Sequence, residues 1–174
     1  MTVKSTVSIE LVSVEPIVVR QAFEDLYRFE YPRLLAVATA LTGDRREGED
    51  LVQDTMVKAF VRWPRVGGLD RPGAWCHRVL TNACRSRRRR RRTEQRFMDR
   101  QARTEPYYEQ LPAGVLAFWS IVRTMPERPR TVVAMFYGAD RSTGEIAEIL
   151  DVPEGTVRSD LTRARTILAR ELGR

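Results

Sequence analysis

The sequence predicts an all-α protein built as two small helical domains joined by a flexible linker. Three observations carry that reading. Apolar residues recur at helical spacing almost without interruption from Phe23 to Leu172. The breaks are short and made of proline and glycine, at Gly43, at "WPRVGGLDRP" (63–72) and at "RTEPYYEQLPAG" (103–114). Residues 93–112 lose the periodicity and separate two helix groups that could each bury a small core. The organisation read from this is an unassigned arm over 1–20, a helical domain over 21–92, a linker over 93–112 and a second helical domain over 113–174.

Taken in order, "VSIELVSVEPIVV" (7–19) alternates weakly and is broken by Pro16, which reads as a short strand or an unstructured arm and carries no assigned function. Helices are expected over 20–42, 44–63, 71–92, 113–124, 127–138, 142–150 and 154–171. On the second of these, Leu51, Val52, Thr55, Met56, Ala59, Phe60 and Trp63 form the buried side, and Asp50, Gln53, Asp54, Val57, Lys58 and Val61 face outward. Valines among acids point to a protein partner. An acidic face is not a DNA surface.

On 71–92, Cys76, Val79, Leu80, Ala83 and Cys84 make a stripe for the core. The opposite face carries Trp75, Arg78, Asn82, Arg85, Ser86 and Arg89, a mixture suited to partly unpaired nucleic acid. Arginine takes phosphate, an indole stacks on an exposed base, and an amide reads its edge. Beyond it, "CRSRRRRRR" (84–92) places seven arginines in nine positions, including Arg88.

The last two helices show helix-turn-helix spacing. Ile146, Ala147, Ile149 and Leu150 are inside on the first, residues 151–155 connect, and Pro153 suits the start of the next. The second helix is expected to bury Val157, Leu161, Ala164, Ile167, Leu168 and Leu172. Its other face presents Arg158, Ser159, Thr162, Arg163, Arg165 and Arg170, a surface for the major groove.

The chain has 174 residues and a formal charge of +7, unevenly placed. Residues 71–92 hold nine arginines and no acid, whereas 44–54 hold five acids and two arginines, so two surfaces with two partners are expected. No segment is apolar for long enough to span a membrane, and the N-terminus lacks the pattern of a signal peptide, so the expected compartment is the cytoplasm. Cys76, Cys84 and His77 are too few for a disulfide framework or a zinc site, and the two cysteines would stand about 12 Å apart along one helix. Both are read as small buried apolar residues. No nucleophile with its base, phosphate-binding glycine loop or carboxylate cluster stands in a coherent setting, so neither an enzyme nor a cofactor is expected.

At this point the chain resembles, over residues 22–172, the extracytoplasmic-function sigma factors, the two-domain group of bacterial RNA polymerase sigma subunits, in their actinobacterial sigma-E-like form. The carrying motifs are "FEDLYRFEYPRLLAVATALTGDRREGEDLVQDTMVKAFVRW", "RPGAWCHRVLTNACRSRRRR" and "MPERPRTVVAMFYGADRSTGEIAEILDVPEGTVRSDLTRAR", in this order and at these separations. The resemblance implies that 21–92 is sigma region 2 and 113–174 region 4, with the linker threaded through the polymerase toward the RNA exit path. It implies that Asp50, Gln53, Asp54 and Val57 dock on the clamp helices of the beta-prime subunit, and that the beta flap is a second polymerase contact.

It further implies that Trp75, Arg78, Asn82, Arg85, Arg88 and Arg89 open and read the minus-ten element, with "RVGGLD" (65–70) helping to form a pocket for a flipped base. Arg158, Ser159, Thr162, Arg163 and Arg165 would read the minus-thirty-five element. An anti-sigma factor is implied as a further partner, and no membrane insertion. Ser86 stands where an acid is frequent in the family and Thr162 where larger residues are frequent, differences that bear on which promoter is read. Two rivals lack support in these residues: a dimeric helix-turn-helix regulator would not need the acidic 50–54 face, and a recombinase would need catalytic groups.

Overall fold

The computed structural model describes residues 11–97 and 112–173. The first ten residues and most of the predicted linker, with Tyr107, Tyr108 and Leu111, lie outside the described residues. The helices are α1 (Leu11–Thr42), α2 (Arg45–Val61), the single turn α3 (Trp63–Val66), α4 (Pro72–Phe97), α5 (Ala113–Thr124), α6 (Glu127–Val133) running into a π-helical turn (Ala134–Gly138), α7 (Thr143–Leu150) and α8 (Glu154–Leu172).

The boundaries follow from local chemistry. Gly43, at φ +80°, closes α1 in a left-handed conformation that costs glycine little, and its N–H donates to the Thr39 carbonyl at 2.8 Å. Asp44 then caps α2, its carboxylate accepting from the N–H groups of Arg46 and Glu47 at 2.8 and 3.1 Å. Ser142 and Glu145 form a reciprocal capping box on α7, which ends at Asp151 with φ 55°. Pro153, extended, precedes α8.

Three boundaries differ from the sequence reading. Residues 11–20 continue α1 through Pro16, whose fixed φ is compatible with a helix although its ring removes one backbone donor and crowds the carbonyl four residues back, a cost met close to the helix start. The proline and glycine break at 63–72 contains a helical turn, begun by Pro64 and closed by Gly67 against the Trp63 indole. The arginine helix runs on to Phe97, into the segment read as linker.

Leu34, Val37 and Ala38 of α1, Val52, Met56 and Ala59 of α2, and Cys76, Leu80 and Cys84 of α4 make the N-terminal part of the core. Val122, Val132, Val133, Met135, Ile146, Ile149, Val157, Leu161, Ala164 and Leu168 make the C-terminal part. These two sets form one continuous cluster, because α1 packs on the π-helical turn and α4 on α7. Among the described residues no helix is long and apolar enough to cross a membrane.

Candidate nucleic-acid and protein-docking surfaces

On α4, Arg78, Asn82, Arg85 and Arg89 are exposed, Arg88 is half-buried, and Trp75 is half-buried with its ring packed on the core. Trp75 also borders a cleft of about 550 Å³ with Val61, Arg62, Pro64, Arg65, Val66 and Leu69. That cleft lies on the loop from which a base pocket was expected. The buried side of α4 is turned further than the sequence reading had it: His77 and Thr81 join Cys76, Leu80 and Cys84 inside, while Val79 and Ala83 are only half-buried.

Both cysteines are free thiols with pKa values pushed up to about 12, first by burial and then by the nearby carboxylates of Glu30 and Glu47. Neither is a reactive thiolate at neutral pH.

Part of the arginine run is spoken for within the fold. Arg87 and Arg91 both reach the buried carboxylate of Glu47 at 2.8 Å. Thus the acidic segment and the arginine segment, separate in sequence, meet at Glu47 on α2. Spacing along one helix could not show it, since the Arg87 pairing spans 40 residues.

The outer face of α2 carries Asp50, Gln53, Asp54 and Val57, all exposed. Phe60, expected inside, is 60% exposed and stands with Val57 and Val61 on an apolar patch; its ring rests edge-on against Phe23 at 5.1 Å, at the rim of the bundle. This enlarges the apolar part of the surface that the two valines hinted at.

On α8, Arg158, Ser159, Thr162, Arg163 and Arg165 are all exposed on one side. Arg158 pairs with Glu154 at 2.9 Å, and Arg165 donates to the Tyr137 hydroxyl at 3.2 Å. Asp160, on the opposite side, is buried and held by Arg128 at 2.6 Å, which ties α8 to α6. Thr143 donates to Glu154 at 2.5 Å, a side-chain link between the two helices of the helix-turn-helix.

One cluster was not foreseen. His77 and Glu30 are buried side by side, with Nε2 3.1 Å from a Glu30 oxygen, and Arg141 donates to the same oxygen from the C-terminal helix group. Burial pushes the His77 pKa below its usual value, the Glu30 hydrogen bond pulling it back and the charges of Arg141 and Arg33 adding to the fall. For Glu30, burial acts upward, but the hydrogen bonds from His77 and Arg141 and their charges prevail and hold the carboxyl below the usual range. His77 Nε2 stands between the Glu30 oxygen and Arg141 Nη2, 3.2 Å away, so the tautomer decides whether it donates to the first or accepts from the second, and Nδ1 is buried with no partner. The sequence offered only a histidine on a helix, with nothing to say that Glu30 or Arg141 would meet it.

Comparison with known proteins agrees with this geometry. A family model described as Sigma-70 region 2 matches residues 26–94, and one described as Sigma-70, region 4 matches residues 116–168. The chain is 30% identical over 166 residues to the ECF RNA polymerase sigma factor SigM of Mycobacterium tuberculosis, covering 88% of this chain and 79% of that one. It is 27% identical over 168 residues to the ECF RNA polymerase sigma factor SigW of Bacillus subtilis, covering 88% and 90%. Streptomyces sigma-E factors align as well. Among solved structures, the sigma factor RpoE of Bartonella quintana, determined in complex with the anti-sigma factor NepR, superposes with a TM-score of 0.68 at 25% identity, covering 87% of this chain and 96% of that one.

Proposed function

The chain belongs to the extracytoplasmic-function group of RNA polymerase sigma factors, and from that premise we propose which of its surfaces does which part of promoter recognition. Its partners are core RNA polymerase and promoter DNA. The exposed outer face of α2, Asp50, Gln53, Asp54 and Val57, docks on the clamp helices of the beta-prime subunit, with Phe60 and Val61 extending the apolar contact. The C-terminal helix group meets the beta flap.

Promoter reading divides between two helices. Arg158, Ser159, Thr162, Arg163 and Arg165 enter the major groove at the minus-thirty-five element. Arg78, Asn82, Arg85, Arg88 and Arg89 take the phosphates and base edges of the minus-ten strand, and Trp75 flanks the cleft that accepts an extruded base. The observation that carries the reading is that cleft. It stands beside Trp75 at the start of α4, where a basic helix can hold the strand as a base leaves the stack.

The domain division over 21–92 and 113–174 follows the same roles. The reading is of a non-enzymatic, cytoplasmic initiation factor, and the complex of its structural neighbour with NepR favours an anti-sigma factor as a further partner here. A polymerase-independent regulator is disfavoured, since the acidic and apolar α2 face would then have no use.

Run-off transcription with purified core polymerase tests the assignment. The wild-type chain is expected to support initiation on a subset of a promoter library. The double substitution Asp50→Arg and Asp54→Arg is expected to abolish it while duplex binding persists. Initiation at the wild-type level by that variant would place the polymerase contact elsewhere.

A further inference from the structure

The C-terminal helix group sits on the surface assigned to the minus-ten strand. Arg78 donates through Nε to the Ile149 carbonyl at 3.1 Å and through Nη2 to the Glu148 carbonyl at 2.6 Å, so its charge rests on the negative end of α7. Arg85 pairs with Glu127 at 2.5 Å and Arg71 with Glu148 at 2.6 Å. These are exposed pairs. They lie at the rim of a buried centre in which Arg141 donates to Glu30 and, at 3.1 Å, to Glu145, while His77 contacts the same Glu30 oxygen. The other Glu30 oxygen lies against Gly73 in the first turn of α4, where a Cβ would overlap it.

We propose that Glu30, His77 and Arg141 form a latch that holds the chain closed, with α6 and α7 covering part of the minus-ten surface while the duplex-reading face of α8 stays open. The covering half of this inference rests on the assignment of Arg78 and Arg85 to DNA made above.

The physical case lies in the difference between the rim and the centre. Rim pairs in water contribute little each and are screened by salt. The centre is different, because withdrawing Arg141 leaves a buried carboxylate whose remaining neighbour is a neutral imidazole. Opening therefore requires water to enter around Glu30 and His77 together, which makes the change all-or-none. The charged groups facing the centre are Arg33 on α1, Arg71 ahead of α4, and Arg141, Glu145 and Glu148 at α7.

The consequence is an order of events. Arg158, Ser159, Thr162 and Arg163 are exposed in the closed chain and can meet duplex DNA, whereas Arg78 and Arg85 are engaged. Asn82, Arg89 and the cleft beside Trp75 are already open, so it is the single-strand contacts of Arg78 and Arg85 that become available only once the two helix groups separate, the separation that binding to polymerase would supply.

The test uses the full chain labelled at Arg46→Cys and Ala169→Cys, both exposed positions, with the buried native thiols left unmodified. Donor–acceptor distance is measured by fluorescence transfer, and binding of a random-sequence single-stranded DNA and of its duplex by anisotropy. Arg141→Leu is expected to lengthen the distance and to tighten single-strand binding by roughly 3-fold or more, the factor by which the competent fraction rises, with duplex binding unchanged. An unchanged distance in the folded variant overturns the latch. Should the leucine variant not fold, Arg141→Lys carries the test, with an intermediate distance expected and an unchanged one again decisive against it.

Arg78→Ala with Arg85→Ala in the opened background separates the two claims. Loss of the gained single-strand affinity supports the covering role. If the chain opens and that affinity is indifferent to both arginines, the DNA assignment of α4 fails while the latch stands.

Discussion

At Gly73 one hydrogen atom stands where a methyl group would overlap the Glu30 carboxylate. Gly73→Ala should therefore displace Glu30 from the first turn of α4 and lower stability by about 1–3 kcal/mol, read as a fall in Tm of about 2–4 °C per kcal/mol in thermal unfolding. Gly144, also in a helix but with nothing within 4 Å of its would-be Cβ, is the internal comparison. Gly144→Ala should leave Tm unchanged or raise it, because alanine is the better helix former by about 0.5–1 kcal/mol. The same scale shows where sequence reading stopped. Asp50, Gln53, Asp54 and Val57 came out exposed as their helical positions required. The helix wheel assigned His77 to neither face, and what covers it is contributed by two distant segments.

Among the elements, α7 and α8 depend most on local signals. Ser142→Ala removes one half of the capping box on α7 and should cost about 1 kcal/mol, measurable in urea unfolding as a lower midpoint with an unchanged slope. On α8, Arg163→Ala should weaken binding to a duplex carrying the minus-thirty-five element by about 1–3 kcal/mol if the side chain reads a base, or by a sequence-independent and salt-sensitive amount if it meets phosphate. Titrating specific and random duplexes at two salt concentrations tells these apart. The α4 helix was legible as amphipathic, but the roles of its arginines were not. Arg87 and Arg91 neutralise Glu47, and Arg78 and Arg85 bind the C-terminal group, so arginines that read alike along one helix serve separate purposes in the fold.

For the whole molecule, the buried charge centre predicts a response to acid. The His77 pKa lies below 6.5 in the folded chain, so the unfolded or opened chain binds more protons as pH falls through that value. The stability His77 contributes is present above pH 6.5 and is lost as pH drops toward its folded pKa. Glu30, also below its usual 4.5, adds a second loss as pH falls beneath that value. Both act in the same direction. The distance between the two helix groups, followed by fluorescence transfer, should increase on acidification starting below about pH 6.5, and His77→Phe should remove that first step. A distance independent of pH down to the onset of Glu30 protonation would deny His77 a part in the packing.

The sequence by itself determined the helical class, nearly every helix boundary in the second half, and the outward faces of α2 and α8, because periodicity, caps and proline or glycine breaks act within a few residues. Tertiary structure alone decided that the two helix groups share one core and that Glu30, His77 and Arg141 meet within it. It also decided that Arg78 and Arg85 are occupied. Those contacts join positions 42 to 111 residues apart, and their energies depend on burial, which no spacing within a helix encodes.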